Sequence, residues 1–203
     1  MIIATKIKPN YLIEQGLGGV VAGIDEAGRG PLSGPVVASC VILSVDSYPE
    51  NLNDSKKLSK KTREEIFLDL TKSCIFGVGV VGEKIIDKIN ILNATKLAMK
   101  MAFENMCCQI QHKPHFVIVD GNFVPEIDCK ALAVVRGDQK SISIAAASII
   151  AKETRDIIML EIDREFPYYD WKTNKGYPTK KHYEAIKKFG VCKYHRQSFN
   201  LFK

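Results

Sequence analysis

The sequence predicts an α/β fold: a central five-stranded sheet flanked by helices, followed by a basic, helical C-terminal extension. Three short apolar segments of strand type precede a helical middle, and two more follow it. These segments carry few polar positions, which is typical of strands covered by helices on both faces. With 203 residues, 46% of them hydrophobic, the chain can bury one substantial core.

Glycine, proline and charged residues set the limits of the predicted elements. The strands are predicted over residues 19–24, 35–43, 73–81, 115–121 and 131–135. Helices are predicted over residues 59–70, 83–90, 92–111, 141–165 and 179–188, with Ser59 and Thr179 as N-caps. Residues 1–18 are interpreted as a short leader into the first strand, and residues 171–178 as a loop.

The third predicted strand contains Gly77-Val-Gly-Val-Val-Gly82, which matches the G-x-G-x-x-G pattern of dinucleotide-binding sites. Such a site needs its glycines in the turn after a strand. Here valines alternate with the glycines, so the glycines are expected inside the strand. The sequence therefore does not predict a nucleotide site at this position.

The composition argues against several classes of protein. The six cysteines show no Cys-x-x-Cys spacing and most lie in apolar runs, a pattern typical of reduced cytosolic proteins rather than of zinc sites or disulfide frameworks. No apolar run reaches the roughly 18 residues of a membrane helix, and the first residues do not resemble an export signal. We therefore expect a cytoplasmic protein without membrane contact, and a monomer.

The net charge of +6 is distributed unevenly. Residues 171–203 contain nine Lys or Arg and one acid, whereas residues 1–170 contain 20 basic and 22 acidic residues. Aromatic residues are interleaved in the basic segment, which suits contact with a phosphate backbone and stacking on sugars or bases. A solvated, lysine-rich helix is the alternative. We predict a main domain over 1–170 and a basic, aromatic-rich extension over 171–203 within the same structural unit.

Acidic residues lie at or just past the ends of three predicted strands. Asp25 and Glu26 end the first strand, Asp120 ends the fourth, and Asp138 comes shortly after the fifth. Sites in open sheets form outside strand ends, where loops converge. Four carboxylates form an all-oxygen set suited to Mg²⁺ or Mn²⁺, and two such ions can promote hydrolysis of a phosphodiester. Each acid could instead be a turn residue, and Asp138 could cap the following helix.

These residues belong to longer motifs. The segment Gly23-Ile-Asp-Glu-Ala-Gly-Arg-Gly-Pro-Leu-Ser-Gly-Pro-Val-Val-Ala closely resembles the opening motif of bacterial type 2 ribonuclease H, the ribonuclease HII family. The resemblance continues in the family's order over nearly the whole chain, through residues 53–59, 120–121, 137–138, 143–152, 155–156, 176–179 and 195–196. It implies a ribonuclease H-like fold with a mixed sheet. Glu153 departs from the pattern, because an apolar residue is expected there.

The resemblance also implies roles for individual residues. Two divalent metal ions, Mg²⁺ or Mn²⁺, are expected on Asp25, Glu26, Asp120 and Asp138. Backbone groups of Gly28, Arg29 and Gly30 are expected to read the ribose 2′-OH, and Tyr177 to stack under the sugar at the RNA–DNA junction. Expected phosphate contacts are Lys56, Ser143, Lys152 and Arg155. For the last three, a helix cap at Ser143 and solvated side chains at Lys152 and Arg155 are the alternatives.

The implied activity is endonucleolytic hydrolysis of the RNA strand in RNA–DNA hybrids and of the 5′ side of single ribonucleotides in duplex DNA. The products carry 3′-OH and 5′-phosphate ends. The alternatives are a non-catalytic nucleic-acid-binding module, a metal-dependent phosphatase and a DNA-only metal nuclease. Residues 197–202, Gln-Ser-Phe-Asn-Leu-Phe, loosely resemble clamp-binding peptides, which predicts a sliding-clamp contact through the C-terminal tail. An apolar tail folded back on the domain is the alternative.

Overall fold

The computed structural model describes residues 8–44, 48–49, 51–53, 55 and 58–202. Five strands form one sheet in the order β3-β2-β1-β4-β5. Their bounds are β1 Val21–Ala27, β2 Val36–Ile42, β3 Ile75–Val81, β4 Phe116–Asp120 and β5 Ala131–Val134. The first three strands are antiparallel, while β4 lies parallel to both β1 and β5. The predicted five-stranded mixed sheet is confirmed.

Helices cover both faces of this sheet. They are α1 Leu12–Leu17, α2 Lys60–Ser73, α3 Glu83–Cys107, α4 Ile142–Glu165, α5 Trp171–Asn174 and α6 Lys180–Phe189. The apolar side chains of α3 pack against one face, and those of α4 and α2 pack against the other. In the part of the chain that the structure describes, no helix has the length and apolar character to cross a bilayer.

The glycines of β3 bring α3 close to the strand. A Cβ atom on Gly77 would lie 2.2 Å from the carbonyl O of Ala102, and one on Gly79 would lie 2.0 Å from that of Ala98. Any side chain at these positions would therefore force the helix away from the sheet. The placement of these glycines inside a strand is confirmed, and their function is in packing.

Helix α3 consists of two helical segments, as the sequence predicts. They meet at Asn90, whose φ of 65° and ψ of 165° interrupt the helical backbone. The Asn90 side chain accepts a hydrogen bond from the N–H of Asn93 at 3.1 Å, which caps the second segment. The kink thus follows from an asparagine that tolerates a positive φ and provides a cap at the same point.

The sequence misses two helices and ends the first strand too early. Helix α1 lies within the predicted leader, and its buried Glu14 accepts hydrogen bonds from Ser141 Oγ at 2.6 Å and from the Ser143 N–H at 3.1 Å. Helix α5 lies in the predicted 171–178 loop. Strand β1 continues past Ile24 to Ala27, because its last residues pair with β2. These differences arise from tertiary contacts that local sequence patterns do not encode.

The C-terminal segment folds back onto the domain. Trp171, Ile186 and Leu201 are buried in one cluster with Leu32 and Met159 from the main part of the chain. Nearby, the buried side chains of His182 and His195 approach each other, with 3.3 Å between their Nε2 atoms. This packing places the basic segment beside the loop that follows β1.

Candidate active site

Two carboxylates lie side by side at the ends of the central parallel strands. The register pairs Ile24 of β1 with Val119 of β4, and the next residues are Asp25 and Asp120. Because side chains alternate along a strand, both carboxylates point to the face that α4 covers. The sequence motifs thus produce this pair through strand register alone.

Glu26 lies next to Asp25 but on the opposite face of β1. It nevertheless borders the same cavity, and its Oε1 accepts a hydrogen bond from Arg29 Nη1 at 3.2 Å. The Glu26 backbone N–H donates to Asp25 Oδ1 at 2.7 Å, which fixes the aspartate side chain against the strand. The end of β1 therefore brings the carboxylates of Asp25 and Glu26 to one cavity.

The electrostatics of this carboxylate group favour a cation. Asp25 is only 5% exposed. Burial raises its pKa well above the usual value, and the charges of Glu26 and Asp120 raise it further, against a hydrogen bond with Ser148 that lowers it. Burial also raises the pKa of Glu26, while Arg29 opposes that shift. Desolvated like charges of this kind need either a proton or a positive partner.

Asp138 lies in a 3₁₀ turn, Gly137–Gln139, and is buried. The N–H of Gly137 donates to Asp120 Oδ1 at 2.6 Å, which ties this turn to the end of β4. Among the described residues, no three His, Cys, Asp or Glu side chains close into a metal-binding group. The four-carboxylate metal site therefore stays a prediction. The chemistry of its donors, oxygens only, fits a hard divalent cation.

An open cavity of about 250 Å³ lies beside Asp25 and Glu26. It brings together five of the other residues that the sequence singled out, namely Gly28, Arg29, Gly30, Lys152 and Tyr177. The Tyr177 side chain is half-exposed, and a Cβ atom on Gly30 would lie 3.8 Å from its ring. The glycine-rich loop and the Tyr177 ring therefore face each other across a narrow space.

Sequence reasoning missed three polar residues of this cavity: Ser55, Arg63 and Ser148. Ser148 Oγ lies 2.9 Å from Ser55 Oγ and is also hydrogen-bonded to Asp25. Both serines stand inside the family motifs, and for Ser148 the signal that could have identified it is a hydroxyl within the apolar run of residues 144–151. Arg63 had no such signal, because it looks like an ordinary position of α2.

Ion pairs organise the basic wall of the cavity. Arg63 pairs with Glu153 and lies 3.8 Å from Asp156, and Lys152 pairs with Asp156 one helical turn away. Glu153, the departure from the family pattern, thus has a structural reason: it is buried against Arg63. The cations of this wall are held in place by acids on α4.

The structure does not bring two of the predicted phosphate contacts to the cavity. Ser143 is fully buried at the start of α4, and Arg155 is 1% exposed. The guanidinium of Arg155 donates to the carbonyls of Ser33, Pro35 and Lys175, which occupies it inside the protein. We therefore do not propose Ser143 and Arg155 as phosphate contacts. Lys56 lies outside the described residues.

Comparison with known proteins places the chain in a family. The family model described as "Ribonuclease HII" matches residues 22–202. The ribonuclease HII of Clostridioides difficile (strain 630) is 51% identical over 180 residues, which are 88% of this chain and 69% of that protein.

Solved structures similar to this chain include two described as ribonuclease H2 or RNase HII. The ribonuclease H2 of Pyrococcus horikoshii OT3 is 27% identical with a TM-score of 0.72, over 90% of this chain and 94% of that one. A structure described as the PCNA:RNase HII complex from Archaeoglobus fulgidus is 27% identical with a TM-score of 0.74, over 91% and 96%. The fold is therefore ribonuclease H-like, and the chain belongs to the ribonuclease HII family of ribonuclease H enzymes.

Proposed function

We propose that this enzyme hydrolyses the RNA strand of RNA–DNA hybrids and the 5′ side of single ribonucleotides embedded in duplex DNA. The products are a 3′-OH and a 5′-phosphate. One observation carries the proposal: a single cavity holds both the carboxylates Asp25 and Glu26 and the Gly28 to Gly30 loop facing Tyr177. Hydrolysis and recognition of the ribose can therefore act on the same nucleotide.

The carboxylates Asp25, Glu26, Asp120 and Asp138 are the proposed ligands of two divalent ions, Mg²⁺ or Mn²⁺. Bound there, such ions supply charge neutralisation for the scissile phosphate and activation of the attacking water. The raised pKa of Asp25, caused first by burial and then by its acidic neighbours, supports this assignment. A cation relieves the same repulsion that otherwise favours protonation.

The chain itself binds and orients the substrate. Lys152 and Arg63 line the cavity and are the proposed donors to a phosphate, although each is also paired with an acid on α4. Backbone groups at Gly28, Arg29 and Gly30 are the proposed readers of the 2′-OH, the group that distinguishes RNA from DNA. The half-exposed ring of Tyr177, across the gap from Gly30, is the proposed stacking partner of the sugar. The nucleotide is thereby held between loop and ring.

The basic C-terminal segment is proposed to contact the rest of the duplex. Its lysines lie on α6 and in the residues around it, and its position beside the cavity follows from the burial of Trp171 and Leu201. Neutralising phosphates with these lysines favours binding to any duplex, whatever its sequence. The burial of Trp171 and Leu201 against the main part of the chain supports a single structural unit formed by residues 1–170 and 171–203.

The C-terminal tail has a role inside the fold. The backbone N–H groups of Gln197 and Ser198 donate to Asp87, each at 2.9 Å, and Leu201 is buried. A clamp contact through residues 197–202 requires Leu201 to leave the core, although Phe202 is 66% exposed. The complex with PCNA is a property of the A. fulgidus protein. We propose that in this chain the tail stabilises the domain.

The test uses a labelled DNA duplex with one ribonucleotide and the matching all-DNA duplex, each with Mg²⁺, Mn²⁺ or EDTA. We expect a metal-dependent cut on the 5′ side of the ribonucleotide that leaves a 3′-OH, and no cut in the control duplex. The Asp120→Asn variant is the matched inactive control, with duplex binding retained. Cutting of both duplexes, or binding without cutting in either metal, would contradict the proposal.

A further inference from the structure

The loop after β1 is held from inside the protein by a buried arginine of the C-terminal segment. Arg196 is fully buried. Its Nη2 donates to the carbonyl O of Gly28 at 2.6 Å, and its Nη1 donates to that of Arg29 at 3.1 Å. Its Nε and Nη2 also donate to the carbonyl O of Gly34, at 2.9 and 2.7 Å. One side chain thus fixes three carbonyls of one loop.

These bonds determine the direction of the neighbouring amides. In a trans peptide the C=O and the following N–H point in opposite directions. With the carbonyls of Gly28 and Arg29 turned toward Arg196, the N–H groups of Arg29 and Gly30 point away from it. Arg29 and Gly30 line the open cavity on the other side of the loop. The buried arginine therefore sets the orientation of two backbone donors at the substrate site.

We propose that Arg196 is a positioning residue for recognition of the ribose, acting through the amides of Arg29 and Gly30. The inference rests on the proposed function, because it assigns those amides to the 2′-OH. A guanidinium suits this task since its rigid, planar donors can serve three carbonyls at once, which a lysine ammonium on a flexible stem does less well. Recognition of the ribose thus depends on a residue about 170 positions along the chain from the loop.

Arg155 offers a matched control. It is also a buried arginine that donates to backbone carbonyls of this region, but its hydrogen bonds go to Ser33, Pro35 and Lys175. Replacing either arginine by lysine perturbs a buried guanidinium of the same kind. Only the Arg196 substitution removes donors from the two carbonyls whose peptides carry the Arg29 and Gly30 amides.

Phe199 offers a milder perturbation of the same contact. The guanidinium carbon of Arg196 lies 5.1 Å from the centre of the Phe199 ring. Phe199→Leu keeps an apolar side chain and every hydrogen-bonding group, while it removes the ring that supports the guanidinium. If Arg196→Lys does not fold, Phe199→Leu can be used instead to test the role of Arg196.

The experiment measures affinity for a duplex with one ribonucleotide relative to the all-DNA duplex, in the inactive Asp120→Asn background with Mg²⁺. The parent is expected to prefer the ribonucleotide. Arg196→Lys is expected to reduce that preference about tenfold, the loss typical of one charge-assisted hydrogen bond. Phe199→Leu should reduce it less, and Arg155→Lys should lower thermal stability while the preference stays at the parent value.

The outcomes separate the two proposals. If the parent shows no preference, the proposed recognition of the 2′-OH fails, and the role of Arg196 fails with it. If the parent shows the preference and Arg196→Lys retains it in full, only the role of Arg196 is overturned. An equal loss in Arg155→Lys would also overturn it, because the effect would then follow from general loosening. Should Arg196→Lys not fold, an unchanged preference in Phe199→Leu would overturn the role of Arg196 instead.

Discussion

Two glycines of the loop after β1 should respond very differently to alanine. Gly28 has a φ of +97°, and a Cβ atom there would lie 2.1 Å from Arg155 Nε and 2.5 Å from its Cδ. At Gly30 the nearest atom to an added Cβ is Tyr177 Cε1, at 3.8 Å, an ordinary van der Waals distance. Gly28→Ala should therefore damage the fold, whereas Gly30→Ala should damage the site.

The magnitude at Gly28 has two parts. A side chain in this backbone region costs about 1–3 kcal/mol. Displacing Arg155 also weakens its 2.9 Å bond to the Pro35 carbonyl, a charge-assisted hydrogen bond of about 1.5–3 kcal/mol. The free energy of unfolding should fall by about 3 kcal/mol or more, and the Tm by about 6–12 °C for a chain of this size.

Gly30→Ala should leave the Tm within about 2 °C, since surface changes alter stability by about 0.5 kcal/mol or less. Its methyl group enters the space between the loop and Tyr177, so cleavage at a single ribonucleotide should fall about a hundredfold through misplacement of the sugar. Thermal unfolding and cleavage rates of both variants provide the measurement. Equal Tm losses, or full activity in Gly30→Ala, would refute this account of the loop.

Three further changes test other parts of the structure. Glu14→Ala should lower the free energy of unfolding by about 1–3 kcal/mol, because Ser141 Oγ and the Ser143 N–H lose their buried acceptor. A Ser73→Ala control on the surface of α2 should have little effect. Equal stability of both variants would contradict a stabilising role of Glu14. Tyr177→Ala should lower turnover at a single ribonucleotide more than affinity for all-DNA duplex, with Tyr177→Phe retaining turnover; an equal loss of turnover and affinity would make Tyr177 a general DNA contact. Burial, together with His182, lowers the pKa of His195 to about 4. Between that value and about 6.5 the unfolded chain binds the extra proton, so stability should rise with pH across this range and fall on acidification. Thermal unfolding from pH 4 to 7 should show a weaker pH dependence in His195→Gln, and an unchanged slope would argue against this assignment.

The sheet could be predicted well because its strands are short, apolar and buried on both faces. The end of β1 could not, since pairing of Glu26 with Ala38 depends on β2. Helix α1 was missed for a related reason: its six residues are too short to show a clear period, and the contact of Glu14 with Ser141 is made across the fold. Tertiary contacts decided both cases.

In the candidate site, too, some features could be predicted from the sequence and others depend on tertiary contacts. Strand-end acids and the glycine-rich loop could be identified from the sequence, and the structure places Asp25, Glu26 and Tyr177 at one cavity. Arginine at position 155 could not be assigned in this way, because a basic residue on a helix looks the same whether it faces a phosphate or three buried carbonyls. Its true environment depends on a loop 120 residues earlier in the chain.

The bonds between Arg196 and the loop also have a consequence for biosynthesis. The loop leaves the ribosome early, but the guanidinium that binds its carbonyls is made about 160 residues later. Until then the carbonyls of Gly28, Arg29 and Gly34 lack this partner. Contacts of such long sequence separation form late and slow the folding of a domain. The nascent chain should therefore acquire its sheet before the loop after β1 becomes ordered, so that a partly made enzyme does not yet carry the Gly28 to Gly30 side of the cavity.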